Sequence, residues 1–107
     1  MSLWRSEASK RLPELQTTIA STGIHTPRDL WMGLFFQFER LTRQAPFPKD
    51  LLSRLWSYAK WSLDHRDVDV QSAVSDCFFT NLKDSRKLRE VCPQFMTETE
   101  YAQYFQQ

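Results

Sequence analysis

His65-Arg66-Asp67 spells the triplet of a kinase catalytic loop, in which the aspartate receives the proton of the attacking hydroxyl. That loop also needs an asparagine five residues after the aspartate to hold a metal. Here the position is Ser72, and a chain with two glycines has no Gly-rich phosphate loop. Nucleophilic chemistry would fall to Cys77 or Cys92, each of which would need a base, and His25 and His65 are the only histidines. Two cysteines and two distant histidines do not make a zinc spacing either. Cys77 lies in an apolar helical stretch and is expected in the core as a reduced thiol. Cys92, just before Pro93, is expected to be the more exposed of the two.

Asp64, Asp67, Asp69 and Asp76 form an acidic region opposed by Arg66. A calcium loop would require a glycine and a terminal glutamate that this stretch lacks. The simpler roles are Asp67 as a helix N-cap and Asp69 in the first turn, where the dipole favours an anion. The same carboxylates would also present an acidic corner to a basic partner. Lys83, Arg86, Lys87 and Arg89 form a basic cluster with Asp84 alone against it. It reads as a solvated surface, with phosphate binding the alternative, since a nucleic-acid patch would carry more charge and interleaved aromatic residues.

The aromatic surplus is the most informative feature, with four Trp and eight Phe in 107 residues. Arg54, Tyr58, Trp61 and His65 are spaced four, three and four apart, on one helix face turned away from Leu52, Leu55, Ala59 and Leu63. Trp, Tyr and Arg together have the composition of an interface hot spot. The alternative is that a small bundle buries a wide arc of its central helix and takes this face into the core. Met32 and Phe36, four apart, also lie off the main stripe of their helix.

The elements that must position these residues are helices. Residues 12–22 open on Pro13, suited to a first turn, and close before Gly23, a C′ residue. Thr26-Pro27-Arg28-Asp29 starts a second helix over residues 26–43, with Leu30, Leu34, Phe38 and Leu41 in one stripe. A third spans 48–64 and a fourth 67–82, striped by Val70, Ala73, Val74, Cys77, Phe78 and Leu82. A short basic turn follows at 85–91. The last helix opens at Thr97-Glu98-Thr99-Glu100, a capping box. Residues 1–11 form either a short helix or a loose arm. No period-two alternation is sustained, and the glycines that a sandwich or barrel would need at its turns are missing. The expected fold is all-α: one domain, a compact bundle of four main helices plus a C-terminal helix.

Charge and hydropathy narrow the function. Fourteen basic against thirteen acidic residues give +1, no global field for nucleic acid or an anionic membrane. The longest apolar run, residues 30–36, is too short to span a bilayer, and the N-terminus lacks a signal-peptide core. A cytoplasmic binding protein without cofactor, metal or catalytic residues is the expectation, rather than an enzyme.

Several pieces in fixed order complete the reading: Pro13-Glu14-Leu15; the helix 30–41 with Met32-Gly33; the helix 55–63; the acidic break 64–69; then Val70-Gln71-Ser72-Ala73-Val74, Cys77-Phe78-Phe79 and Leu82. Together they resemble a family of small helical bacterial immunity proteins found beside polymorphic toxins of the Rhs and type VI secretion kind. The likeness covers residues 12–82. It departs from the family pattern at Gln71-Ser72, where Glu-Asn is commoner, and at Val74, where Leu is commoner. The resemblance implies a protein that caps the active site of a cognate toxin, one to one, without shared catalytic residues. Arg54, Tyr58, Trp61, Asp64, His65, Asp67 and Asp69 are the expected contacts. The alternative is a small helical regulator that binds nucleic acid through the basic segment 83–89.

Overall fold

The computed structural model describes residues 3–105, in which helices joined by short loops are the regular structure and no strand forms. Helix α1 (Leu3–Arg11) is followed by a 3₁₀ turn (Pro13–Leu15) and a single turn, α2 (Gln16–Ile19). Next come α3 (Pro27–Leu41) and α4 (Lys49–Leu63). A longer element has three parts: α5 (Val68–Val74), a π-turn (Ser75–Phe79) and α6 (Thr80–Asp84). Helix α7 (Arg86–Val91), a 3₁₀ turn (Cys92–Gln94) and α8 (Glu98–Phe105) complete the described chain. The molecule measures 35 × 31 × 20 Å. Its thinnest dimension is about two helix diameters, so each helix keeps an outer side.

The two longest helices begin and end where their sequences signal. Thr26 Oγ1 accepts the Asp29 N–H, and Asp29 Oδ2 accepts the N–H groups of Thr26 and His25, a complete capping box on α3. Pro27 then occupies the first helical position, where its missing N–H costs nothing. Leu30, Leu34, Phe38 and Leu41 are buried together with Trp31. In α4 the buried set is Leu52, Leu55, Trp56, Tyr58, Ala59 and Ser62. Gly33 packs against α2, where a Cβ would lie 3.1 Å from Thr18 Cγ2.

The π-turn solves a packing problem. Cys77, Phe78 and Phe79 are consecutive and all buried, although regular α-helical spacing would spread them over about 200°. One wide turn, in which Ser75 O accepts both the N–H and the Oγ1–H of Thr80, shifts the register. Phe78 then meets Trp31, Phe35, Phe38 and Trp56, while Phe79 faces Trp56 and Tyr104.

The N-terminal segment differs from expectation. The first helix was expected at residues 12–22, but only the 3₁₀ turn and the single turn α2 form there, because Thr17, Thr18 and Ile19 are poor helix formers in a short run. Gly23 is not its C′ residue: the helix ends at Ile19 with Ala20 as its C-cap, and no glycine has positive φ among the described residues. Helix α1 instead carries the structure, with Trp4 and Ala8, and Leu12 just past its end, at fourfold spacing against the body. Arg5 fastens it through Nε to Ile19 O at 3.0 Å and Nη2 to Ser21 O at 3.0 Å and Ile24 O at 2.8 Å. At the other end, Glu100 fastens α8 to α4 by accepting from Trp56 Nε1 at 2.9 Å and from Lys60 Nζ.

Candidate functional site

The expected contact face on α4 divides into two parts. Its upper part, Arg54, Tyr58 and Trp61, is an interface with the chain's own α1. Arg54 donates to Arg11 O at 2.9 Å, to Asp50 Oδ2 at 3.0 Å and, through both Nη atoms, to the Glu14 carboxylate. The hydrogen bond from Arg54 holds the Glu14 carboxyl down at about 2. Tyr58 is completely buried, so it is not a surface contact. Its ring is stacked between Trp31 at 5.3 Å and Trp61 at 5.7 Å, and its hydroxyl donates to Trp4 O at 2.6 Å. Burial pushes its phenol well above the usual range. Trp61 is half-buried, with the Arg11 guanidinium 5.9 Å from its ring centroid and the His65 ring at 4.9 Å. Glu7 and the Ser57 hydroxyl fix Arg11 in that place.

The lower part, at the α4–α5 corner, is open. Asp64, Asp67 and Asp69 are exposed, and none is in an ion pair among the described residues. The corner is nonetheless ordered by its own hydrogen bonds. Asp67 Oδ1 accepts the Asp69 N–H at 2.8 Å, and the Asp67 N–H donates to His65 Nδ1 at 3.0 Å. Val68 stands between the two carboxylates as the first residue of α5 and is 67% exposed. Sequence reasoning passed over Val68, because a valine at a helix start is not distinguished by type or spacing. Asp67 and Asp69 border a groove of about 740 Å³ whose opposite wall includes Trp4, Ile24, His25 and Arg28.

The remaining candidates are dispersed. The basic segment is split by Ser85, whose hydroxyl caps α7. Lys83 and Lys87 are exposed, and Arg86 lies 3.6 Å from Glu90. Arg89 is half-buried, with its Nε enclosed and without a hydrogen-bond partner among the described residues. Cys92 is fully buried, contrary to expectation, because the chain folds it inward at the 3₁₀ turn before Phe95. Burial pushes its thiol up to about 12. Cys77 is 8% exposed, and its polar neighbour is Arg28 Nη1 at 3.6 Å rather than a histidine. Burial raises this thiol too, against the pull of Arg28. Among the described residues no three His, Cys, Asp or Glu side chains gather as a metal site. No helix among them is long and apolar enough to cross a membrane.

Comparison with protein-family models, curated proteins and solved structures gave no match.

Proposed function

We propose that this chain is an immunity protein that binds a cognate toxin domain and occludes its active site, with the α4–α5 corner as its contact. The observation that carries the reading is Val68, two-thirds exposed between two exposed carboxylates, of which that of Asp67 is already fixed by the fold. An exposed apolar group ringed by polar ones has the layout of an interface patch, an apolar centre within a polar rim. Because the Asp67 carboxylate accepts the Asp69 N–H and the Asp67 backbone donates to His65 before any partner arrives, binding loses little side-chain entropy at Asp67. Three carboxylates around the anchor favour a partner surface that is basic and speed its capture. The neighbouring groove supplies area toward the roughly 800 Å² per partner that a stable complex buries. Trp61 contributes its outer edge, Tyr58 backs Trp61 by stacking on it, and Arg54 ties α4 to the N-terminal segment away from the corner.

The test is protection of cells expressing the toxin encoded beside this gene. Val68→Arg and Asp69→Lys should each weaken toxin binding by roughly tenfold or more while keeping wild-type helicity. Trp61→Ala should have a smaller effect. Full protection by both corner variants would show that the contact lies elsewhere.

A further inference from the structure

Helix α3 presents an apolar strip that the α4–α5 corner does not use. Met32 is 61% and Phe36 64% exposed, on the side of α3 away from Leu30, Leu34 and Leu41, with Phe35 half-buried beside them. The three overlook a cleft of about 430 Å³ whose far wall carries Cys77 and Asn81.

A charge closes each end of the strip. Arg28 precedes Met32 by four residues and reaches across to Asp76 at 3.0 Å and to Cys77, so its guanidinium borders the cleft. Glu39 follows Phe36 by three residues, lines the same cleft and has no ion pair among the described residues. Residues eleven apart on an α-helix fall within about 20° of each other around the axis, and here about 16 Å apart along it. The helix positions that carry cation, apolar group and anion therefore lie in line on one face, with the Arg28 guanidinium shared with Asp76 and open to a second carboxylate.

That order is its own complement when turned end for end. A two-fold axis across α3 beside Gly33 and Leu34 sets Arg28 of each copy against Glu39 of the other. It also sets Met32 of each copy against Phe35 and Phe36 of the other. A parallel pairing would oppose like charges. We infer that this face joins two copies of the chain in an isologous dimer through antiparallel α3 helices. The dimer leaves Asp64, Asp67, Val68 and Asp69 outside the contact, sharing only Arg28 with the groove beside them, and it stands or falls without any toxin present.

Sedimentation velocity of the purified chain over a range of concentrations tests it. The wild type should pass from the mass of one chain to the mass of two. Phe36→Glu, and separately Glu39→Arg, should weaken self-association by roughly tenfold or more with unchanged circular dichroism. Arg28→Glu should do the same by opposing Glu39. Mixing the Glu39→Arg and Arg28→Glu proteins should restore a two-chain species, because each then meets its opposite at both ends of the strip. A wild type that keeps the mass of one chain at every concentration would overturn the proposal. So would charge variants that stay separate when mixed.

Discussion

At the scale of single residues, burial decides which polar groups are available. Cys92 is the clearest case: its sulfur is sealed inside, and its thiol is held up to about 12 by desolvation alone. Native protein treated with a thiol-reactive chromophore near pH 8 should leave Cys92 unmodified and react only slowly at Cys77. Both should react at once in denaturant. Rapid modification of Cys92 in the folded protein would contradict its placement. The position was misread from sequence because a following proline suggests a surface turn. What turns Cys92 inward is the docking of Phe95 and Met96, a tertiary event with no local signature. Tyr58 was misread for a related reason. It lies at the edge of the α4 face buried against α3, and what covers it is α1, through the Trp4 carbonyl and Arg11 above Trp61. With α1 treated as a possible loose arm, a face built to receive it looked like a face waiting for a stranger.

Elements show the opposite balance. The start of α3 was legible in Thr26, Pro27 and Asp29, because a cap is a local device whose partners lie within three residues. The Thr97–Glu100 box and the Asp67 cap were legible on the same ground. The π-turn was not, since it answers to Trp31, Trp56 and Tyr104 on three other helices. The two kinds of device should differ in cost. Thr26→Ala removes one capping hydrogen bond and should cost about 1 kcal/mol in chemical denaturation. Phe78→Ala would empty the point where aromatic rings of α3, α4 and the π-turn meet, and should cost about 3–5 kcal/mol. Equal losses for the two variants would mean that Phe78 is not the centre of the core.

For the whole molecule, the ties between helices set the response to acid. Burial alone would raise the Glu100 carboxyl. Hydrogen bonds from Lys60, the Thr97 backbone and Trp56 together outweigh that and hold it at about 2. Glu14 is held at about 2 by Arg54. Both folded values lie below the ordinary 4.5, so each carboxylate stabilises the fold above that pH, and the contribution disappears as pH falls from 4.5 toward 2. Thermal melts should therefore lose stability through this window. Glu100→Gln should flatten part of the loss while lowering stability at neutral pH. An unchanged slope in that variant would exclude the Lys60–Glu100 tie as a source.

The clasp at the opposite end is of another kind. Arg5 grips three peptide oxygens, which no proton at ordinary acidity neutralises. Sourness should thus undo the tail at Glu100 and slacken the Glu14–Arg54 link at the head, while the grip of Arg5 on Ile19, Ser21 and Ile24 outlasts both and keeps α1 lying over Tyr58.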